Sequence, residues 1–470
     1  RYCRKLPVAI KPYLMISLKR ALIHPILKGE IFGKHWNSLA SLPQRQPQNE
    51  LGPQKSIIIV GGLLNTIVRI SLALMALTFS NISPAVASGD SVERGRYIAY
   101  TGDCAACHNI EGGDQYAGGY AFPTPFGTVY STNITPDKTH GIGNYSDEDF
   151  VKVMREGIAP GGNLYPAMPF TSFHIVTDKD LEDLWHYLQT IPASDTPNVE
   201  NTMMFPANIR FGLKSWNLLF LANTDFIANS QKSKEWNRGA YIVEGLAHCG
   251  ECHTPRNIAM AMDKSKALSG GFLNNIYAPD ITPVELRKQG WSRASMVDLL
   301  HTGHSAQGVV NHEMLEAVLN SFSHLTIDDL NAVATYLLDD TDTTLAEREV
   351  TAKLTKKEGS EGKALFTNSC SGCHGTNGEG SPVAPALGSN ASVKATDPSN
   401  LIIFILQGIP KSDITMLPMP GFNQTLSNEQ IVALSNYIRL SWGNNQKITV
   451  EQVQNIRQLL LDSGDITPAK

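Results

Sequence analysis

The sequence has little strand-like alternation, no cysteines to spare and, after residue 87, no apolar run near the ~20 residues that a membrane-spanning helix needs. The first absence argues against an all-β fold, and the third against integral membrane insertion of the mature chain. Of seven cysteines, six fall in three copies of one five-residue pattern and the seventh, Cys3, lies far upstream, so none remains for a disulfide framework. No activated serine or cysteine nucleophile, paired acid–base carboxylates or phosphate-cradling glycine loop stands out, and the chain is assigned no substrate chemistry of its own. At 470 residues, 42% of them hydrophobic, it has room for two to four domains with cores.

Arg69 is followed by the apolar stretch "ISLALMALTF" (70–79) and then by Ala85-Val86-Ala87. A positive flank, a short apolar core and a small-x-small cleavage site in that order predict an export signal, with residues 1–87 removed as signal plus upstream extension. Those residues hold 11 of the 39 basic and 2 of the 44 acidic side chains, leaving 28 against 42, a net charge of −14. So acidic a surface argues against a nucleic-acid partner.

Internal repetition is the strongest signal. "ERGRYIAYTGDCAACH" (93–108) and "NRGAYIVEGLAHCGECH" (237–253) share Arg-Gly-x-Tyr-Ile, and "EGKALFTNSCSGCH" (361–374) keeps the glycine. Each predicts a helix running into its motif. The second copy has Gly245 where the others have Tyr100 or Phe366, four residues before the first cysteine. A closing helix in each copy carries Leu184-Tyr187-Leu188, Val333-Tyr336-Leu337 or Leu434-Tyr437-Ile438 at i, i+3, i+4, which predicts packing of the last helix on the first. "NITPD" (133–137) and "DITPV" (280–284) recur between the helices of the first two copies, and "APALGSN" (384–390) is the shorter counterpart in the third. The expected architecture is mainly α, with domains at 88–195, 233–342 and 358–445, linkers at 196–232 and 343–357, and a tail at 446–470.

Cys104-x-x-Cys107-His108, Cys249-x-x-Cys252-His253 and Cys370-x-x-Cys373-His374 match the pattern for c-type haem attachment. Two thiols three apart reach the two vinyl groups of the macrocycle, and the following histidine becomes an iron ligand. Zinc needs a fourth ligand that no copy supplies nearby, and a redox disulfide expects a βαβ setting that is absent. Three covalent haem c groups are therefore expected. For the sixth ligand, Met168 in "YPAMPF" and Met419 in "MPMPGF" are each followed by proline, which restricts the loop. Met314 lacks that proline but stands 61 residues after His253, as Met168 stands 60 after His108. Met416 rivals Met419; His301, His304 and His312 lie close to Met314. A methionine with no such role would be core filler.

The stretch "YAGGYAFPTPFGTVYSTNITPDKTHGIGNYSDEDF", with "YPAMPF", "HCGECHTPRN", "MPGF" and "SWGNNQKITVEQV", resembles the triheme cytochrome c subunit of bacterial membrane-bound dehydrogenases over nearly all of residues 90–456. The resemblance implies three tandem class I cytochrome c-like domains, each wrapped around one haem. It also implies a large catalytic subunit that oxidises alcohol, gluconate or a similar polyol or aldehyde at pyrroloquinoline quinone, flavin or molybdenum. Electrons would pass through the haems to ubiquinone at the periplasmic face of the inner membrane. The three Cys pairs, His108, His253, His374, Met168, Met314 and Met419 match the family's ligand positions. Two competing readings are a multihaem peroxidase with one five-coordinate haem and a free periplasmic carrier. The linker "MMFPANIRFGLKSWNLLFLANTDF" (203–226) is apolar enough that Phe205, Phe211, Trp216 and Phe220 are expected either to cover haem edges or to touch the membrane or the catalytic subunit. The stretch "TVEQVQNIRQLLL" (449–461) is a weaker amphipathic candidate.

Overall fold

Three helices run toward a Cys-x-x-Cys-His segment and are each covered by a later helix of the same copy. In the computed structural model the described residues are 87–339 and 355–468, less 223, 274–275, 413–416 and 444–445. The expected export signal, most of the 343–357 linker and Met416 lie outside them. The opening helices are Ala87–Thr101, Lys234–Tyr241 and Lys356–Ser369, and the closing helices are Asp178–Leu188, Ile327–Leu338 and Asn428–Trp442. Each closing helix is started by a side chain that accepts from the third helical N–H: Thr177 from Asp180, Thr326 from Asp329 and Ser427 from Gln430.

Opening and closing helices pack in pairs, as the spacing predicts. The crossing is too close for any side chain on the opening helix. A Cβ on Gly95 would fall 1.9 Å from Asp183 O, on Gly239 1.9 Å from Ala332 O and on Gly362 2.3 Å from Ala433 O. The tyrosines the sequence singled out are the other half of that contact, because the Cβ atoms of Tyr187, Tyr336 and Tyr437 lie 2.7, 2.8 and 2.6 Å from the same points. Around each pair gathers a separate hydrophobic core. The first holds Phe150, Leu181 and Trp185, the second Ile242, Leu330 and Leu337, and the third Phe366, Ile402 and Leu434.

Among the described residues, four short two-stranded hairpins interrupt the helices, at 121–130, 158–163, 269–280 and 304–309. They are too brief for alternation to show in the sequence, and they occupy matching places in the first and second units. The fold is mainly helical. Among the described residues no helix is long and apolar enough to cross a membrane.

One expectation changes and two positions gain a definite setting. The segment 446–470 is not a separate tail, because Val450–Ser463 drives Val453, Ile456 and Leu460 into the third core. Gly245, where the other copies have an aromatic, packs against a different unit. A π-helical turn over Ile242–Leu246 absorbs the extra residue between Gly239 and Cys249, and brings Gly245 against Ile175 of the first unit, where a Cβ would meet it at 2.9 Å. The linker aromatics divide. Phe205 and Phe211 are exposed, while Trp216 donates to Ala259 O at 2.8 Å and packs between Phe170 and Phe220.

Candidate haem sites

Each motif forms one short helix, Cys104–His108, Gly250–His253 or Ser371–His374, with Cys249 and Cys370 at the N-caps of the last two. The six thiols are unpaired. Burial pushes Cys104, Cys107, Cys249 and Cys252 up to about 12 and Cys370 up to about 11. That is opposite to the lowered thiol of a redox Cys-x-x-Cys pair. Among the described residues no group of three or more His, Cys, Asp or Glu side chains could hold a metal ion by itself, so the zinc reading has no geometry.

The three histidines share one hydrogen bond. Nδ1 lies 2.7 Å from Thr132 O in His108, 2.7 Å from Pro279 O in His253 and 3.1 Å from Pro385 O in His374. A carbonyl can only accept, so Nδ1 carries the proton and the lone pair is left on Nε2, the arrangement a metal-ligating imidazole needs. Burial lowers His108 and His253 below the ordinary histidine value and keeps those rings neutral.

The carbonyls explain the repeats between the helices. Thr132 immediately precedes "NITPD" and Pro279 immediately precedes "DITPV". In both, the Asn133 or Asp280 side chain accepts from the N–H and hydroxyl of the Thr two residues on, at 2.9 and 2.7 Å in one copy and 2.8 and 2.6 Å in the other. This turn fixes the carbonyl before it. The repetition was visible in the sequence; its acceptor role was not, because a backbone atom leaves no residue signature. Pro385 comes from the shorter "APALGSN".

Each methionine packs within its own unit. Met168 packs on the core that Cys104 touches, Met314 on that of Cys249 and Met419 on that of Cys370. Met168 sits in a tight turn, its N–H donating to Tyr165 O at 3.2 Å and its carbonyl accepting from Phe170 N at 2.9 Å. Met419 is held by a two-way backbone bridge to Ile409 at 2.9 Å. Met314 is in the first turn of Glu313–Asn320, and of its three neighbouring histidines only His312 joins it on the cavity wall.

That cavity is continuous, about 2420 Å³. Its wall includes Cys107, Cys249, Cys252, His253, Cys370, Cys373 and His374, together with Met314 and Met419, amid mostly apolar side chains. From the first unit, Ala167 and Pro169, which flank Met168, also reach it. A single ligand pocket is usually ~300–1,000 Å³. An apolar volume several times larger, edged by the Cys249 and Cys252 pair, the Cys370 and Cys373 pair, Cys107, His253 and His374, fits planar macrocycles tethered through sulfur, although Cys104, His108 and Met168 are not on its wall.

The cytochrome c family model matches residues 92–192 and 359–442. Over 411 residues the chain is 36% identical to the fructose dehydrogenase cytochrome subunit of Gluconobacter japonicus, covering 80% of this chain and 84% of that one. It is 36% identical over 409 residues to the gluconate 2-dehydrogenase cytochrome c subunit of Pantoea cypripedii, with 81% and 92% covered. Against the cytochrome c subunit of the quinone alcohol dehydrogenase of Gluconobacter oxydans, identity is 33% over 416 residues, with 82% and 86% covered.

Proposed function

From the premise that the chain belongs to the family of dehydrogenase cytochrome c subunits, we propose that it is a triheme electron relay. It takes electrons from a catalytic subunit that oxidises an alcohol, a sugar acid or a similar polyol or aldehyde at pyrroloquinoline quinone, flavin or molybdenum, and delivers them to ubiquinone. The observation that carries this reading is the imidazole with its Nδ1 committed to a backbone carbonyl, found beside a thiol pair three times over.

Bound haem supplies reversible one-electron chemistry at its iron. Cys104 and Cys107, Cys249 and Cys252, and Cys370 and Cys373 would tether one group each, in three tandem domains. His108, His253 and His374 would ligate through Nε2. Met168, Met314 and Met419 would supply a second, sulfur ligand, a His/Met pairing that raises the potential. Held by a histidine and a methionine, the iron would have no open site for substrate or oxygen, and the group would only pass electrons. The export signal and acidic surface suit the periplasm, and the exposed linker suits peripheral attachment to the inner membrane.

The test is to purify the native protein from membranes and record what accompanies it, how many haems each chain carries, and which donors reduce it. Three haems per chain, a larger dehydrogenase subunit and reduction by alcohols, aldehydes or sugar acids are expected. A lone chain that no donor reduces would refute the relay; peroxide turnover would move the assignment to a peroxidase.

A further inference from the structure

One buried charge at these sites has no part in the reading above. Glu251 is the second intervening residue of Cys249-Gly250-Glu251-Cys252-His253, and it is buried. One carboxylate oxygen accepts from Thr171 Oγ1 at 2.6 Å and from Ser172 Oγ at 2.9 Å, both in the first unit. The other accepts from Arg256 Nη2 at 2.5 Å, and the same guanidinium donates to Glu251 O at 2.7 Å and Met260 O at 3.2 Å. A carboxylate satisfied on both oxygens can stay buried and ionised, and it holds its donors with charge-assisted bonds.

Thr171 and Ser172 lie three and four residues after Met168, in the one-turn helix Phe170–Phe173. The inner side of that turn is fixed by Phe170, which is fully buried against Trp216. Its other side meets the second unit. There Phe173 packs edge-on against His248 with ring centres 5.4 Å apart, Ile175 covers Gly245, and Glu251 supplies the charge. The segment presenting Met168 is therefore clamped to the attachment motif of the next unit.

The mirrored contact lacks that charged hold and is made instead by Tyr100 stacking on His324, with ring centres 4.1 Å apart. Ala106 stands in the first motif where Glu251 stands in the second. Ser321, five residues before Thr326 as Ser172 is five before Thr177, is buried with no partner for its hydroxyl among the described residues.

We infer that Glu251 is a positioning residue for the sixth ligand of the first haem: by holding Thr171 and Ser172 it keeps the Met168 sulfur at that iron, so that ligation in one unit depends on the attachment segment of its neighbour. The inference rests on the triheme reading.

Two variants of the full-length haem-loaded protein test it. Glu251→Gln preserves volume and removes the charge, and Thr171→Val with Ser172→Ala removes the donors while leaving the Glu251–Arg256 pair intact. Carbon monoxide binding to the reduced protein reads the result, since only an iron that has lost its methionine admits it. Each variant should raise the binding rate about tenfold or more, the scale on which lost outer-shell partners weaken metal sites. The rise should be confined to one haem, assigned by comparison with Met168→Ala. Unchanged binding in the double variant, or entry at all three haems alike as general loosening would give, overturns the inference, and the double variant decides if Glu251→Gln fails to fold. A haem count other than three in the parent protein, or a Met168→Ala protein that still excludes carbon monoxide, would instead sink the ligand reading beneath it.

Discussion

Tyr97 donates its hydroxyl proton to the carboxylate of Asp329 at 2.7 Å, across the junction between the first and second units. The same hydroxyl accepts from Thr326 N at 3.2 Å. Tyr241 makes the reverse contact, donating to Asp180 at 2.5 Å and accepting from Thr177 N at 3.0 Å. Each tyrosine belongs to a copy of Arg-Gly-x-Tyr-Ile, each threonine caps a closing helix and each aspartate is its third residue. The repeat that marks two helices in the sequence thus also joins them, as a symmetric exchange. In the third copy Ala364 stands where the tyrosine would be, and that unit docks differently. Thr396 donates from its N–H and hydroxyl to the Glu285 carboxylate at 2.8 and 2.9 Å, and Ala391 N donates to Gln307 O at 2.7 Å.

Removing either tyrosine hydroxyl leaves a carboxylate short of a donor. Y97F and Y241F should each cost about 1.5–3 kcal/mol, the range for hydrogen bonds to charged groups. Their effects should not add, because Arg238 donates to Asp329 at 2.8 and 2.7 Å while lying 5.7 Å from the centre of the Tyr241 ring. A coupling of about 0.5 kcal/mol or more is expected in urea denaturation of the single and double variants; strict additivity would mean the two contacts are independent.

The helix crossings make a second prediction. Gly239→Ala puts a methyl group 1.9 Å from a backbone carbonyl, and a backbone cannot rotate aside as a side chain can. The helices must separate, at about 1–3 kcal/mol by the usual scale of overpacking. Gly161→Ala, with nothing within 4 Å, is the control. The readouts are melting temperature and haem retained per chain, and equal behaviour of the two variants would show that the crossing has slack.

Acid should loosen the first and second units through two carboxylates. Burial works to raise Asp183, but hydrogen bonds from Arg94, Lys179 and Ser91 outweigh it and hold the group well below the ordinary carboxylate range. Asp329 is lowered in the same way, burial being outweighed by Arg238 and Tyr97. For a group whose folded value is depressed, the stabilisation is present above the unfolded value of about 3.9 and is lost as pH falls through the folded one. Melting temperatures of the parent and Asp183→Asn should therefore differ at neutral pH and draw together at acid pH. A gap that stays constant down to the acid limb would assign the effect to packing instead.

The sequence made legible whatever repeats as residue types. The helix pairs, the caps of the closing helices and the recurring Cys-x-x-Cys-His segments follow from spacing and periodicity, and the structure has helices and cores there. What stayed hidden was made by backbone or by contact between copies. The carbonyls of Thr132, Pro279 and Pro385 have no side-chain signature. Gly245 looks like a loss until Ile175 of the other unit is beside it. Glu251 is one acid among many until its partners, 79 and 80 positions away, come within reach.

The linker offers the last prediction. Phe205, Phe211, Leu218 and Leu219 are 79%, 74%, 85% and 73% exposed, large side chains that a globular surface does not normally leave so open. Arg210 and Lys214 lie among them, with Lys214 Nζ 5.3 Å from the centre of the Phe211 ring, so that a basic rim accompanies the apolar face on an otherwise acidic chain. That pairing suits the headgroup region of an anionic bilayer, where apolar area and positive charge both contribute. Phe211→Ser with Leu218→Ser and Leu219→Ser should release the protein from anionic lipid vesicles in a sedimentation assay while leaving its haem content and melting temperature unchanged, since none of the three side chains is buried. Retention on vesicles would remove the linker from the membrane contact, and loss of dehydrogenase co-purification without loss of vesicle binding would reassign the face to the catalytic subunit.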